Sequence, residues 1–561
     1  MTGSSEATDH LIVGAGPVGL ATALLLARRG LRSVVVERRK GFQTQPAAHV
    51  INGRTLEIFR QMGLDMETVT ALAQDPADAG HVNFVTRLGE RVVGRLAFER
   101  QGDESLCHTP TPLRNISQHH LEPLLAAAAD DHALVDLRYG TTWLELTQDD
   151  DGVTSTVADA HGNERTIRSD RLIAADGASS RVRKALGIEM LGPASLQSYM
   201  AIHFTADLSG LLADNPGVLH FVLDPAARGT FVAHDIRSEW VFMSAYDPSK
   251  DAPADFTADR CRELVRQAMA EGAPDVDIIG SGPWNMSAQV AERMTADRVF
   301  GVGDAAHRFP PTGGMGLNTG VADAHNLVWR LAAIAEGWAE PSLLDDFQTE
   351  RLPIAHQNCR QSTENAVKMV LLGEALGLTT DPTTQTLHRA LDDPASAEQI
   401  AAAVDAQSTH FDMLGLQLGY TYGEGSLLRD GPSPEPIVDP TPFDPTAVVG
   451  SRLPHWWLVD GRSTLDLVGY DGPTLISFGP TDSHDRWIRH VGSARAAGIP
   501  MAHCRVGIDT EPLEEWRHLC CLPAESALLV RPDQHIAWRS HTGMAPSAHT
   551  FDDALSAVFH R

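Results

Sequence analysis

Glycines and acidic side chains near the N-terminus are spaced to bind a dinucleotide. Gly14, Gly16 and Gly19 follow a short apolar run, and Glu37 ends a second apolar run. The first glycine allows a tight turn, the second lets the backbone approach a pyrophosphate, and the third lets a helix pack closely on a strand. A carboxylate in the position of Glu37 binds a ribose hydroxyl and disfavours a 2′-phosphate. The pattern therefore predicts a site for FAD or NAD rather than NADP.

A later segment has the residue types that a flavin would need. Asp304 directly follows an apolar run and is placed to bind a polyol hydroxyl, while Gly313, Gly314 and Gly316 would let the backbone approach a planar ring. The helix predicted after Asn318 aims its N-terminus, with a dipole of roughly half a charge, at the same place. An isoalloxazine ring whose reduced form is an anion would be stabilised there.

A third segment lies between these two and reads AADGASSRVRKALGI. Asp176 and Gly177 follow a predicted strand, and Arg181 begins the next helix. By itself this is also the pattern of an ordinary N-capped helix. Its position between the glycine turn and the Asp304 segment favours a third part of the same nucleotide site.

The elements that must position these residues follow from the hydrophobic pattern. Residues 11–13 and 33–36 predict strands on either side of an apolar helix, which is the start of a Rossmann βαβ unit. Strand patterns dominate from about residue 191 to 282, and a Pro-rich stretch at 430–445 predicts a linker. The pattern divides the chain into a first part of a nucleotide-binding domain at 1–185, with pieces of the sheet domain near 79–107, a sheet domain at 186–289, a second nucleotide-binding part with a helical region at 290–430, and a small α/β domain at 431–561.

Composition excludes several classes of partner. The chain has 561 residues with 45 basic and 73 acidic side chains, and its net charge of -28 repels nucleic acid and anionic membrane surfaces. The N-terminus lacks an apolar signal core, so we expect a cytoplasmic protein without a membrane anchor. The six cysteines are scattered without a CxxC pair, which suits a reducing compartment, predicts no metal site, and argues against a flavin disulfide reductase.

The order of the three motifs resembles that of the class A FAD-dependent aromatic hydroxylases, the superfamily of para-hydroxybenzoate hydroxylase. The segments AAHVINGRTLEIFRQMGL and HRFPPTGGMGLNTGVADAHNLVWRLA resemble the phenol hydroxylase branch, and within it the dichlorophenol monooxygenases. The resemblance is strong over about residues 9–375 and weaker beyond. It implies an α/β fold with a Rossmann-like FAD-binding domain, an inserted sheet-rich substrate domain and a C-terminal thioredoxin-like domain. Because Cys520 and Cys521 are adjacent, we expect that last domain to lack thioredoxin's redox function.

The resemblance also implies a reaction. Members of this family reduce FAD with NAD(P)H, form a flavin hydroperoxide with O2, and transfer one oxygen atom to an electron-rich ring. A second glycine-rich dinucleotide motif is missing here, which fits transient binding of NAD(P)H. We therefore expect a monooxygenase that hydroxylates a phenolic or polyketide-like aromatic compound. The sequence leaves open the identity of that compound, NADH or NADPH as reductant, and the oligomeric state, a homodimer included.

Most of the cofactor contacts are carried over from the family's motifs. The residues assigned to FAD or to both cofactors in this way are Gly14, Gly16, Gly19, Glu37, Arg38, Arg54, Gln118, Asp176, Arg181, Asp304, Gly314, Gly316, Leu317 and Asn318. The chain departs from the family at Ala47, where an arginine usually lies near the pyrophosphate. We expect Arg54 to replace that contact in part.

Two residues are candidates for the chemistry on the substrate. His49 aligns with the family's acidic residue that helps to deprotonate phenol, although a structural histidine in a loop is an equal alternative. Pro311 matches the proline whose carbonyl lies between flavin and substrate, and His307 is expected to be structural. The substrate pocket is expected between the sheet domain and the flavin, where the alternation of strands leaves open which side chains face inward. The candidates are Phe231, His234, Phe242 and Tyr246.

Other functions remain as alternatives. A flavin-dependent halogenase would need a WxWxIP-type segment and a catalytic lysine, and the stretch GPWNMSAQV does not match that segment. A non-oxygenating flavoprotein dehydrogenase or oxidase would release hydrogen peroxide without a hydroxylated product. A catalytically silent binding module would retain no flavin.

Overall fold

The computed structural model describes residues 6–540 and 550–561. Its first part is a parallel sheet with flanking helices, as the hydrophobic pattern predicts. Its elements are β1 (Glu6–Val13), α1 (Pro17–Arg28), β2 (Ser33–Glu37), β3 (Val50–Ile51), α2 (Gly53–Met62), α3 (Met66–Ala71), α4 (Pro76–Ala79), β4 (His81–Val85), β5 (Val92–Ala97), β6 (Arg114–Asn115), α5 (Gln118–Asp130), β7 (Val135–Tyr139), β8 (Thr142–Asp149), β9 (Gly152–Ala158), β10 (Glu164–Ala174) and α6 (Arg181–Ala185).

The second part is rich in strands, and a single helix covers one face of its sheet. Its elements are β11 (Met190–Leu191), β12 (Gln197–Thr205), β13 (Leu219–Val222), β14 (Gly229–Asp235), β15 (Glu239–Tyr246), α7 (Ala258–Gln267), β16 (Asp277–Met286) and β17 (Gln289–Ala291). Seven strands form this sheet in the order β16-β12-β15-β14-β13-β4-β5, so two strands from the first part complete it.

The third part returns to the first sheet and continues as helices. Its elements are β18 (Thr295–Ala296), β19 (Val299–Gly301), β20 (His307–Arg308), α8 (Met315–Ala335), α9 (Asp345–Ala375), α10 (Thr384–Asp392), α11 (Ala397–Asp405), α12 (Ser408–Phe411) and α13 (Leu414–Gly419). The main sheet runs β18-β19-β10-β1-β2-β7, and its strands β19, β10, β1, β2 and β7 are parallel. The ends of β1, β10 and β19 therefore meet at one edge, where the three predicted motifs follow them.

The fourth part has the topology of the thioredoxin fold. Its elements are β21 (Thr474–Ser477), α14 (Thr481–Ala496), β22 (Ala502–Arg505), α15 (Glu514–Leu519), β23 (Ala527–Val530), β24 (Ile536–Ser540) and α16 (Phe551–Phe559). The strands lie in the order β22-β21-β23-β24, with β21 parallel to β22 and antiparallel to β23. Cys520 is buried, which raises the pKa of its thiol, and Cys521 is exposed.

Buried ion pairs join this domain to the rest of the molecule. Arg452 lies 2.5 Å from Glu57 of α2, and Arg531 lies 2.6 Å from Glu350 of α9, with all four side chains at most 1% exposed. In the described residues, no helix is both long and apolar enough to cross a membrane.

Candidate active site

The turn after β1 requires glycine at two positions for reasons internal to the protein. Gly14 has φ +107°, and a Cβ added to it would lie 2.3 Å from the carbonyl oxygen of Ala175. A Cβ on Gly19 would lie 2.0 Å from the carbonyl oxygen of Gly14. Gly16 differs, because a Cβ there would meet no protein atom within 4 Å. The turn therefore leaves open space in front of Gly16, at the N-terminus of α1.

The first turn of α1 is free to bind an anion. Gly16 is its N-cap, Pro17 is its first residue, and neither a side-chain cap nor an acidic residue satisfies the amides of the first turn. Unpaired amides and the positive end of the helix dipole together bind phosphate groups. This end of the helix therefore fits a pyrophosphate.

Glu37 lies beside the same turn. Its carboxylate accepts hydrogen bonds from the amide of Ala15 at 3.0 Å and from the amide of Arg39 at 2.8 Å. Burial raises the pKa of Glu37, but the hydrogen bonds from Arg39 and Ala15 outweigh it, so the net pKa is lowered and the side chain is ionised. Arg38 is exposed, whereas Arg39 also pairs with Glu122 at 3.1 Å. Arg39 is therefore a neighbour of the predicted ribose site that sequence reasoning missed.

A second cradle forms where β19 and α8 meet. Gly303 and Gly320 allow this approach, since a Cβ on Gly320 would lie 2.8 Å from the Cα of Gly303. Asp304 is exposed and its Oδ1 lies 3.7 Å from the position of a Cβ on Gly316. Helix α8 also begins without a side-chain cap or an acidic residue in its first turn. The structure thus brings a carboxylate beside the open N-terminus of α8.

Gly314 and Asn318 hold the start of α8 against β3. A Cβ on Gly314, whose φ is +60°, would lie 2.5 Å from the Cβ of Val50. The side chain of Asn318 donates to the carbonyl oxygen of Val50 at 2.9 Å and accepts from the amide of Asn52 at 3.0 Å. The Asn318 side chain therefore fixes the segment that carries His49, while Leu317 beside it is partly exposed.

Asp176 and Arg181 lie at the end of β10 and the start of α6. Oδ2 of Asp176 accepts from the amide of Arg181 at 2.7 Å and of Val182 at 3.2 Å, while its Oδ1 is buried without a partner among the described residues. Burial raises the pKa of Asp176. The carboxylate thus caps a helix and keeps one oxygen for a ligand, and the side chain of Arg181 is exposed.

These observations test whether the site fits FAD. Helices α1 and α8 both have N-termini without a side-chain cap. The space in front of Gly16 is open, so a phosphate has room there, and one oxygen of Asp176 has no partner among the described residues. The acceptor and donor types match pyrophosphate, ribose and ribityl groups. The residues present therefore fit FAD.

Arg54 does not replace the arginine missing at position 47. Its guanidinium is buried and donates to Glu57 at 3.0 Å, to the side chain of Gln534 at 2.7 Å and to the carbonyl oxygen of Asp533 at 2.8 Å. These partners belong to α2 itself and to the C-terminal domain. The expectation that Arg54 contacts the cofactor is therefore corrected. Its buried guanidinium is neutralised by the carboxylate of Glu57 and hydrogen-bonded to the C-terminal domain, so it is not available to FAD.

His49 precedes β3 and is held by a chain of side-chain amides. Its Nδ1 lies 3.1 Å from Oδ1 of Asn115, whose Nδ2 donates to Oε1 of Gln101 at 3.0 Å. Gln101 in turn donates through Nε2 to the carbonyl oxygens of Ala79 and Phe98. Because those carbonyls accept only, each amide has a fixed orientation, Nδ1 of His49 carries the proton, and its Nε2 is the acceptor.

The environment keeps this imidazole neutral. Burial lowers the pKa of His49 to about 4, against a smaller opposing effect of the bond to Asn115. The ring stacks on Phe98 at 6.2 Å and meets the edge of His234 at 5.8 Å between centroids. Its Nε2 has no hydrogen-bond partner among the described residues. His49 is thus a neutral imidazole whose acceptor nitrogen lies at the edge of an aromatic cluster.

Backbone pairing explains why these residues meet. The amide of Ile116 donates to the carbonyl oxygen of His49 at 2.8 Å, and the amide of Gln118 donates to that of Ala48 at 2.8 Å. The side chain of Gln118 accepts weakly from the amide of Ala48 at 3.4 Å. The segment that leads into α5 therefore runs beside the His49 segment.

The seven-stranded sheet has two different faces. Phe231 and Phe242 are at most 1% exposed and pack under α7 with Cys261 and Val265. Tyr246 lies on the same face, with its ring 5.2 Å from that of Phe256. The expectation that Phe231, Phe242 and Tyr246 line the pocket is therefore corrected, because side chains alternate along a strand and α7 covers the face to which these three point.

The opposite face points toward His49. It contains His234 and the partly exposed apolar side chains of Leu219, Phe221, Val232 and Met243, as the strand register requires. The Phe221 ring lies 5.3 Å from Phe84 and 6.2 Å from Phe411. Of the four predicted pocket residues, only His234 is on this face.

Two further predicted residues lie near the start of α8. His307 is fully buried, with Nε2 2.6 Å from Oδ2 of Asp323, which also binds Arg351 at 2.8 Å. This position agrees with a structural role for His307. Pro311 is exposed, and its carbonyl oxygen accepts from the amide of Gly314 at 3.0 Å.

The fold and the cofactor cradle define an FAD-dependent flavoprotein with an inserted sheet domain and a thioredoxin-like domain. Residues 7–362 match the FAD binding domain family, and residues 446–561 match the family described as aromatic-ring hydroxylase, C-terminal. The chain belongs to the FAD-dependent aromatic-ring hydroxylases. FAD is its cofactor and NAD(P)H its transient reductant, and it is a monooxygenase that hydroxylates aromatic rings.

Named relatives agree with this family. The chain is 34% identical to an aklavinone 12-hydroxylase of Streptomyces purpurascens, with 99% of each chain covered. It is 32% identical to a 2,4-dichlorophenol 6-monooxygenase of Delftia acidovorans, with 98% of each covered. The structure of the flavin-dependent monooxygenase PieE with FAD and substrate superposes with a TM-score of 0.89, at 35% identity and 99% coverage of both chains. The expected family, fold class and cofactor are confirmed.

Proposed function

We propose that the substrate is a phenol whose hydroxyl group binds Nε2 of His49. The observation that carries this proposal is the fixed tautomer of His49, which presents an acceptor and no proton at the edge of an aromatic face. A phenol has a pKa of about 10 and donates to such an acceptor. Withdrawal of that proton makes the ring carbons ortho and para to the oxygen more nucleophilic.

We place the substrate cleft between His49 and the sheet face that points toward it, and that face would bind the ring itself. Phe221, Val232 and Met243 offer partly exposed apolar surface on the sheet face that points toward His49. Burial of an aromatic ring against such side chains releases water and favours binding by about 25 cal/mol for each Å² of apolar surface removed from water. The cleft would thus exclude water from the reacting ring, which a hydroxylase needs.

The cofactor would be held along the edge of the main sheet. Gly14, Gly16 and Gly19 would hold the pyrophosphate, Glu37 the adenosine ribose, and Asp304 the ribityl chain. Gly316, Leu317 and Asn318 would lie beside the ring through their backbone, with Gln118 near the ribityl chain and Pro311 between ring and substrate. Arg38, Asp176 and Arg181 stay as proposed contacts of FAD or NAD(P)H. When bound there and reduced by NAD(P)H, FAD would activate O2 for transfer of one oxygen atom to the ring.

A panel of phenols and their methyl ethers tests the proposal. Purified, FAD-loaded protein would be given NADH or NADPH, 18O2 and chlorophenols, naphthols or larger polyphenols, with the matching methyl ethers as controls. We expect one labelled oxygen atom in the product of some phenols and none in the ethers. If NAD(P)H oxidation gave only hydrogen peroxide with every phenol, or if the ethers were hydroxylated as fast, the proposal would be wrong.

A further inference from the structure

His234 is a second imidazole at the cleft, and it begins a continuous hydrogen-bonded chain. Its Nδ1 lies 2.8 Å from Oγ of Ser117, and the same Oγ lies 2.7 Å from Nδ1 of His119. Nε2 of His119 lies 3.0 Å from the carboxylate of Glu239. Nε2 of His234 has no hydrogen-bond partner among the described residues, and the ring meets the His49 ring edge-on at 5.8 Å between centroids.

Solvent exposure increases from the inner to the outer end of this hydrogen-bonded chain. His234 is 3% exposed and Ser117 is 2% exposed. The side chain of His119 is 9% exposed, that of Glu239 is 17% exposed, and that of the neighbouring His120 is 45% exposed. The chain therefore runs from the cleft beside His49 to solvent at the start of α5 and β15.

The carboxylate at the outer end fixes the direction of every bond when the rings are neutral. Glu239 only accepts, so Nε2 of His119 carries the proton and its Nδ1 accepts. Ser117 must then donate to His119, and its oxygen accepts from Nδ1 of His234. A neutral His234 with its proton on Nδ1 has a lone pair on Nε2. The order of donors therefore leaves a basic atom at the cleft.

We propose that His234, Ser117, His119 and Glu239 form a relay that carries the substrate's hydroxyl proton from the cleft to solvent. The inference rests on the proposed phenol substrate and concerns how its proton leaves, which His49 cannot complete because its Nδ1 faces buried amides. The substrate O–H bond breaks as Nε2 of His49 takes the proton, and His49 returns to its neutral form as that proton passes to Nε2 of His234, whose ring meets the His49 ring edge-on at 5.8 Å between centroids. His234 then passes its Nδ1 proton to Oγ of Ser117, Ser117 passes its own to Nδ1 of His119, and His119 passes its Nε2 proton to Glu239, which releases it to water.

The surrounding charges favour transfer over storage of the proton. Burial keeps the pKa of His234 well below its usual value, and the nearby His49, His119 and His203 act in the same direction while Glu239 opposes them. His203 also binds Glu239, with its Nε2 at 3.1 Å. The pKa of Glu239 is lowered as well, because the bonds from His119 and His203 outweigh its burial. A proton on His234 is therefore unstable and moves outward.

Two variants would break the relay at different links. Ser117→Ala removes the hydroxyl that hydrogen-bonds both imidazoles, and this side chain makes no cap bond to α5. Glu239→Gln replaces the acceptor that fixes the direction of the bonds. Ser198→Ala is the control, because it removes a buried hydroxyl that binds Asn285 at 2.8 Å in the same sheet, away from the relay. The readout is phenolate absorbance after oxidised holoenzyme is mixed with a chlorophenol, with FAD affinity and turnover measured in parallel.

We expect both relay variants to form phenolate at least about tenfold more slowly than the wild type. Their FAD affinity, and the rate of phenolate formation in S198A, should stay within about twofold of the wild-type values. Unchanged phenolate rates in S117A and E239Q, together with normal hydroxylation, would overturn the relay and leave the proposed function intact. Failure of every variant to bind any phenol would overturn both. A functional metal ion bound by His119, His120 and Glu239, whose chelation lowers turnover, would also overturn the relay, because a metal-bound Nε2 has no proton to pass.

Discussion

At the scale of single residues, neighbours that never touch the substrate decide the chemistry of two imidazoles. Asn115 accepts from Nδ1 of His49, and Ser117 accepts from Nδ1 of His234. In both cases the partner directs the lone pair of Nε2 toward the cleft. His49 could be found by its resemblance to the family, but the sequence contains no signal for the roles of Asn115, Gln101 or Ser117, because these roles depend on contacts between distant parts of the chain.

Replacement of His49 tests its role as base. His49→Ala should lower the rate of hydroxylation by about 10²-fold, since a positioned base contributes at least that much. We expect the share of NAD(P)H oxidation that ends in hydrogen peroxide to rise while FAD stays bound. Product yield, peroxide yield and flavin absorbance measure these three effects. His161→Ala, at an exposed turn, is the control, and unchanged coupling in H49A would show that another group deprotonates the substrate.

Replacement of Asn115 by aspartate tests how the tautomer and the pKa of His49 are set. A carboxylate would still accept from Nδ1, but its charge favours the imidazolium and raises the pKa of His49 from about 4. Since only the neutral ring can act as base, activity in N115D should be lost at a higher pH on the acid side than in the wild type. The pH profile of kcat/KM measures this shift. A profile with an unmoved acid limb would contradict the assignment.

At the scale of elements, the turn before α1 contains two kinds of glycine. Gly14 and Gly19 are required by contacts within the protein, whereas Gly16 is required only if a ligand occupies the space in front of it. A methyl group on Gly16 meets no protein atom within 4 Å and its φ of −76° suits any residue, whereas one on Gly19 meets a carbonyl oxygen at 2.0 Å. We therefore expect Gly16→Ala to weaken FAD binding by at least about tenfold without change in the Tm of the apoprotein. Gly19→Ala should lower that Tm.

The two glycine variants should be compared by flavin titration and by thermal unfolding of the FAD-free protein. The contrast between them is the informative result. Equal FAD affinity in G16A and the wild type would mean that the pyrophosphate lies elsewhere.

At the scale of the whole molecule, buried charges lock the C-terminal domain onto the FAD-binding domain. Glu57 lies between Arg54 and Arg452, and their charges lower its pKa to about 2 although burial alone would raise it. Glu57→Gln would leave two buried guanidinium groups without their carboxylate, a change that typically costs about 3–5 kcal/mol. Urea unfolding should show this loss. Asp392→Asn removes an exposed pair with Arg91 and should cost less than about 1 kcal/mol, and equal effects would contradict the distinction.

The whole molecule should also lose stability in mild acid. Burial lowers the pKa of His10 and of His220 to about 4, whereas an unfolded histidine has a pKa of about 6.5. Below pH 6.5 the unfolded chain therefore binds more protons, and each such imidazole lowers the free energy of unfolding by up to about 1.4 kcal/mol per pH unit until its folded pKa is reached. The carboxylates Glu57 and Glu350, with pKa values of about 2, contribute only at lower pH.

Urea midpoints at pH 7.5, 6.5 and 5.5 measure this slope. His10→Gln, which cannot titrate, should flatten it relative to the wild type. A midpoint that stays constant or rises as the pH falls would show that these imidazoles are not held neutral.

The sequence by itself determined the parts that depend on local geometry. Gly14, Gly16, Gly19, Glu37 and Asp304 predicted a flavin site, because a tight turn, a helix N-terminus and the residue that ends a strand are set by neighbours along the chain. Fold class, family and cofactor followed from the order of these motifs and are confirmed.

Only the tertiary structure decided which side chains face the cleft and where buried charges point. Phe231 and His234 lie three residues apart on one strand, and their faces became known only once α7 was seen to cover one side of the sheet. The side chain of Arg54 points to the C-terminal domain, because its hydrogen-bond partners are residues 533 and 534, far away in the sequence. Alternation along a strand is local, but the layer that buries one face, and the charges that neutralise a buried group, come from distant segments and are fixed only when those segments pack.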